Sequence, residues 1–218
     1  MELISVASAK VVWLLNTADL NPNGLSILRD LIDALAEEYD FDEPDSDAAK
    51  GTNGVKLKNG EFLKEEKPFR VALEMYDDGF VAESAHSTAL TEEFLTHAIA
   101  WAKETFSLKF EPSLVMNKLY FSDVVVKLSS PLTTASNAFT KFADLLNHSG
   151  QSMAGDGFMV SALTFSPIVQ PVGNPKNIVI ERRANTPANA NIFYCKAPMT
   201  TDELIAALNK FDDFLMEP

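Results

Sequence analysis

The chain has 218 residues, of which 18 are basic and 31 acidic, for a formal net charge of −13. With 46% hydrophobic and 22% charged residues it has the composition of a globular protein, not of a disordered one. Nine glycines and 11 prolines exclude collagen-like and low-complexity classes, and a single cysteine, Cys195, excludes a disulfide framework or a cysteine-built zinc site. No apolar run approaches the roughly 20 residues that cross a bilayer. The first residues lack the basic start and apolar core of a secretory signal. The expectation is one soluble, cytoplasmic domain over residues 1–218.

Val11–Leu15 reads as a buried strand. Asn21-Pro22-Asn23-Gly24 is a turn, and Leu28, Leu31, Ile32, Leu35 and Tyr39 then fall on one face of a helix. An acidic loop covers residues 40–54. Asn59-Gly60 and Asp77-Asp78-Gly79 both suit hairpin turns between strands. Thr91-Glu92-Glu93 starts a helix with a capping hydroxyl and first-turn acids; its buried face is Phe94, Leu95, Ala98, Ile99 and Ala102. Leu119–Leu128 is a central strand. Thr133–Asn147 is a helix with Ala138, Phe142, Leu145 and Leu146 as its stripe. Phe158–Phe165 and Ile178–Ile180 are strands, and Ile192–Cys195 is a short edge strand. Thr200-Thr201-Asp202-Glu203 opens a final helix with a capping-box pattern, its stripe being Leu204, Ala207, Leu208, Phe211, Phe214 and Leu215.

Strands outnumber helices and hairpins recur, so the fold class is α+β: a mainly antiparallel sheet with about four helices packed on it. Strict β-α alternation fails at 55–84 and 157–195, which argues against a doubly wound sheet. No repeat occurs at solenoid periods.

The charge is concentrated. Residues 1–50 carry a net −8, while residues 111–180 are neutral. Glu37, Glu38, Asp40, Asp42, Glu43, Asp45 and Asp47 form a run that no Lys or Arg interrupts. Such a run attracts a basic partner and repels phosphate, which excludes direct nucleic-acid binding as an expectation. It does not match a calcium loop: counted from Asp45, the fifth position is Ala49 and the twelfth is Lys56; counted from Asp40, the fifth is Pro44.

No catalytic signature is complete. His86, His97 and His148 are far apart in sequence, and no His-Glu-x-x-His pattern exists. Gly150-Gln151-Ser152-Met153-Ala154-Gly155 is one residue too long for a nucleophile elbow and follows a helix where a strand is needed. Cys195 reads as a buried structural thiol. The segment 181–191 presents Arg182 and Arg183 with Asn185 and Asn191, side-chain types that grip carboxylate or phosphate.

Two functions follow. One is a non-enzymatic protein-binding module that uses the acidic run, as an inhibitor of a basic enzyme (immunity-like) or as a subunit of a larger assembly. The alternative is a small enzyme or ligand-binding domain that takes an anionic substrate on the 181–191 loop. No cofactor or metal and no membrane partner is expected, and homo-oligomerisation is left open.

Overall fold

The computed structural model of the chain describes residues 1–24, 27–42, 54–149, 157–168 and 177–216. Among these, eight strands and four helices run in the order β1 (Glu2–Leu14), α1 (Leu28–Glu38), β2 (Val55–Lys64), β3 (Lys67–Tyr76), β4 (Gly79–Ser84), α2 (Thr88–Phe106), β5 (Asn117–Lys127), α3 (Asn137–Ser149), β6 (Ala162–Phe165), β7 (Ile178–Arg182), β8 (Ile192–Ala197) and α4 (Thr201–Met216). The strands form one antiparallel sheet in the order β2-β3-β4-β1-β5-β8-β7-β6. The α+β expectation holds. No described helix is long and apolar enough to cross a membrane.

The element order is duplicated. β-α-β-β-β-α occurs twice, and β1-β4-β3-β2 in the first half corresponds to β5-β8-β7-β6 in the second. The chain divides into two compact units: a first unit of Ser8–Ser122 with Met199–Thr201, and a second of Met1–Ala7, Asp123–Pro198 and Asp202–Pro218.

In the first unit, alternate residues Ala9, Val11 and Trp13 of β1 point into the core, as the period of two requires of a strand covered on one face. Val11 and Trp13 share one core cluster with Val71, Leu73 and Met75 of β3, Ala82 of β4, and Phe94, Leu95 and Ala98 of α2. Asp77-Asp78-Gly79 makes the expected hairpin between β3 and β4. Gly79 has φ +152°, and a Cβ there would lie 2.1 Å from the Trp13 carbonyl oxygen, so the turn needs glycine.

Asn59-Gly60 is not a turn. β2 continues through it as a bulge, with Leu57 opposite Leu73 and Gly60 opposite Val71. The turn comes later, at Glu65-Glu66, both at positive φ, and two such residues in succession match the right-handed twist of the flanking strands. α2 starts one turn before Thr91. Ser87 is its cap, its hydroxyl accepting from the Leu90 N–H at 3.2 Å. Thr91 is instead fully buried and donates to the Ser87 carbonyl at 2.8 Å.

The first unit also buries a set of hydroxyls. The Thr88 N–H donates to Thr201 Oγ1 at 3.0 Å, and the Thr201 N–H donates back to Thr88 Oγ1 at 3.0 Å, across 113 residues. Ser122 Oγ lies 3.1 Å from Thr201 Oγ1 and donates to the Met199 carbonyl at 2.9 Å. These two threonines begin α2 and α4, so each helix supplies the acceptor that the other's first N–H requires.

The second unit packs Val124, Val126, Leu128, Leu132, Ile180, Phe193, Leu204 and Leu208. β8 lies between β5 and β7, so it is interior to the sheet, contrary to the edge position expected for Ile192–Cys195. The helix faces also differ from their sequence stripes. In α3, Ala143 is buried while Phe142 and Leu145 are each 60% exposed; in α4, Leu215 is buried and Phe214 is exposed. Periodicity identifies the amphipathic face, but whether another element covers it is a tertiary matter.

Replacing Thr88 by valine preserves shape but removes the acceptor for the Thr201 N–H. The Thr88→Val chain is expected to lose about 1–3 kcal/mol, the cost of a buried donor left unpaired. A urea midpoint equal to that of the parent would show that this bond contributes nothing.

Candidate functional site

The acidic run begins at the C-terminus of α1, and this end of the helix is closed by a specific backbone motif. The Phe41 N–H donates to the Ala36 carbonyl at 2.9 Å and the Asp40 N–H points to the Glu37 carbonyl at 3.5 Å. Between them Asp40 takes φ +50°. This is the pattern of a helix ended by a left-handed residue, a position usually held by Gly or Asn. Aspartate enters it at small cost, because its short polar side chain suits that region.

From Glu38 to Asp42 the segment alternates in burial. Tyr39 and Phe41 are 4% and 7% exposed, whereas Glu37, Glu38, Asp40 and Asp42 all face solvent. Two backbone bonds fasten it to the bulge of β2: the Glu61 N–H donates to the Tyr39 carbonyl at 2.6 Å and the Asp42 N–H to the Lys58 carbonyl at 2.9 Å. The Asn59 amide donates to Asp42 Oδ2 at 2.5 Å, and Arg70 donates to the Asn59 carbonyl at 2.8 Å. Gly60 makes room for the anchor, since a Cβ there would fall 2.3 Å from the Phe41 ring. Four carboxylates are therefore held outward on a fixed backbone. Glu43, Asp45 and Asp47 lie outside the described residues.

Beneath this tip is an aromatic cluster. The Tyr39 ring meets Phe94 edge-on at 5.3 Å and Trp101 at 6.3 Å, and its hydroxyl lies 2.7 Å from His97 Nδ1. Burial, with the Glu38 charge adding to it, pushes the Tyr39 phenol well above its ordinary range. Tyr39 thus stays a neutral phenol, and its hydroxyl shares a hydrogen bond with the His97 ring. His97 is accounted for as a support of the tip.

The 181–191 loop belongs to the second unit and closes largely on itself. Arg182 sits at the end of β7, its backbone N–H donating to the Ser161 carbonyl at 2.8 Å. Its guanidinium donates to the Thr186 carbonyl and lies 3.8 Å from the Met159 sulfur, while Nε is buried without a hydrogen-bond partner among the described residues. Arg183 is exposed, and its backbone N–H donates to the Ile192 carbonyl at 2.9 Å. Asn185 and Asn191 have φ +60° and +51°, so both serve the chain as left-handed turn residues. The Asn191 carbonyl also accepts from the Leu128 N–H at 3.0 Å.

The other candidates are placed as follows. The His86 ring packs edge-on against Phe69 at 4.8 Å, and His148 Nδ1 lies 2.7 Å from the Asp144 carbonyl. Cys195 is fully buried, and burial with the Glu181 charge pushes its thiol up to about 12, which leaves it unreactive at neutral pH. The loop Gly150–Gly155 lies outside the described residues. No three His, Cys, Asp or Glu side chains among the described residues group to hold a metal.

Two clusters have no signal in the sequence. In the first unit, Lys118 Nζ lies 4.5 Å from the Trp13 ring and pairs with Glu92 at 2.7 Å, while Phe110 stacks on Trp13 at 6.0 Å. In the second unit, Asp212 is fully buried in α4. It accepts from the Met1 amino group at 2.6 Å and from the Ser129 hydroxyl and N–H, each at 2.7 Å. Burial alone would raise its carboxyl, but these bonds outweigh it and hold the group below the usual aspartate range.

Two outcomes test these assignments. Gly60→Ala must displace the Phe41 ring, and about 1–3 kcal/mol of stability should be lost, read as a lower urea midpoint. The Asp212 carboxyl is depressed in the folded state, so its contribution is present above the ordinary aspartate pKa of about 3.9 and fades as pH falls through the lower folded value. Urea midpoints taken on acidification should therefore converge for the parent and Asp212→Asn; a constant gap down to strong acid would contradict the carboxylate's role.

No family model matches the chain, and no curated protein matches it. Among solved structures, the Methanococcus jannaschii TBP aligns with 100% of this chain and 98% of its own length, at 11% identity and a TM-score of 0.46. A likeness at that level carries no argument about function.

Proposed function

We propose that the chain is a non-enzymatic protein-binding module that presents the acidic tip of α1 to a basic protein, as its inhibitor or as a fellow subunit of a larger assembly. The observation that carries this reading is the alternation at residues 38–42. Tyr39 and Phe41 are buried as anchors, with Asp40 held out between them and Glu37, Glu38 and Asp42 held out on either side. Flexible acids would lose conformational entropy on binding; acids on a fixed backbone lose less.

Their position adds to the argument. Glu37 and Glu38 lie in the last turn of α1, where the helix dipole is negative and carboxylates cost about 0.3–1 kcal/mol each. Such a concentration of like charge is unfavourable for the isolated chain and favourable only toward a positive surface. The Arg182 guanidinium, by contrast, is engaged with its own loop through the Thr186 carbonyl, which gives less support to the anionic-substrate alternative.

The test is capture of partners from native cell extract at low salt, comparing the parent with a Glu37→Gln, Glu38→Gln, Asp40→Asn chain. Asparagine suits the left-handed position of residue 40, so folding should survive. The captured protein should be basic, its affinity should fall with added salt, and the triple variant should associate about tenfold more slowly. An unchanged association rate at low salt would sink the proposal.

A further inference from the structure

The two outer strands of the sheet are β2 and β6, and they are protected very differently. β2 carries Lys56, Lys58, Glu61 and Lys64 and is interrupted by the Asn59-Gly60 bulge. Charges and a bulge are the usual devices that stop a sheet edge from pairing with another chain. β6 reads Ala162-Leu163-Thr164-Phe165 and has neither: no charge, no proline and an unbroken register with β7.

The surroundings of β6 are apolar as well. Phe165 is 50% exposed. Phe158, just before the strand, is 48% exposed, and Asn147 holds it against the last turns of α3, its amide donating to the Phe158 carbonyl at 3.3 Å and its carbonyl accepting the Phe158 N–H at 2.5 Å. On α3, Phe142 and Leu145 also point to solvent. In the first unit the corresponding helix, α1, packs on α2, with Ile32, Leu35 and Tyr39 buried.

We infer that the edge of β6, outermost among the described strands, is a self-association surface, at which a second copy of the chain adds as an antiparallel strand. Charge selects this occupant. A chain of net charge −13 is repelled by its own copy almost everywhere, but residues 111–180, which contain β6, α3 and Phe158, are neutral. A basic partner gains nothing from a neutral segment, whereas two copies meeting there add no local like-charge contact to the overall repulsion between chains of −13.

The register is also self-complementary. A two-fold axis through an antiparallel pair must run perpendicular to the sheet, so facing residues share a face and a residue can face itself. Centred on Thr164, the pairing sets Thr164 against Thr164 of the second copy, and Leu163 against Phe165 twice. Thr–Thr and aliphatic–aromatic cross-strand pairs are both favourable. Edge hydrogen bonds fix the register, and the half-exposed Phe158 and Phe165 supply apolar area.

The experiment is sedimentation of the full chain over a wide concentration range, with the parent, Thr164→Lys and Phe165→Glu. The parent should move from one to two times the monomer mass as concentration rises, and more readily at higher salt, because screening weakens the −13 repulsion. Both variants should stay monomeric while keeping the parent's circular dichroism and urea midpoint. Lysine lowers the net negative charge, so loss of the dimer in Thr164→Lys cannot be ascribed to a larger overall repulsion; it reports two like charges brought together at the paired position. The inference is overturned by a parent monomeric throughout, or by a dimer that persists in whichever variant is folded. A dimer weakened by salt would overturn it too, because it would implicate the acidic tip instead of this edge.

Discussion

The reciprocal bonds between Thr88 and Thr201 are the constraint on which much of the first unit rests. Both residues are 2% exposed, and both open a helix. A helix start has N–H groups with no partner of their own, and burying it is tolerable only if acceptors are brought to it. Here each start provides the other's acceptor, with Ser122 and the Met199 carbonyl completing the set. Nearby, the Ser84 and Thr91 hydroxyls pair at 2.8 Å, and Thr91 lies 3.3 Å from the Ala9 carbonyl, tying α2 to β4 and β1. Buried polar groups of this kind specify one arrangement, because any other leaves donors unpaired.

The acidic tip shows the same logic on the surface. Its charges face water at the unfavourable end of a helix dipole, yet the backbone that carries them is pinned by Tyr39, Phe41 and the bulge of β2. Bulge, glycine and aromatic ring form one device: Asn59 bends the strand, Gly60 leaves space, and Phe41 fills it. The surface feature thus depends on a packing detail some twenty residues further along the chain.

The duplicated element order makes the difference between the halves informative. α1 is covered and β2 is charged and bulged, whereas α3 is exposed and β6 is bare. All five exposed phenylalanines, at 139, 142, 158, 165 and 214, belong to the second unit, while the acidic tip belongs to the first. The exposed acids of the tip thus lie in one half and the exposed phenylalanines in the other.

The sequence by itself determined the fold class, the element types and the placement of charge. These are local or additive properties: periods of 2 and 3.6, turn chemistry at Asp77-Asp78-Gly79, and counts of ionisable residues. Reading Asn59-Gly60 as a hairpin turn failed because the same dipeptide serves a turn and a bulge, and only the partner strand distinguishes them. Ile192–Cys195 looked like an edge because it is short, yet its position in the sheet is set by pairing with distant strands. The tertiary structure alone decided which amphipathic faces are covered, which carboxylate is buried at Asp212, and that Asn185 and Asn191 serve as turn residues. Burial and pairing depend on contacts between residues tens to more than a hundred positions apart, and no local pattern encodes them.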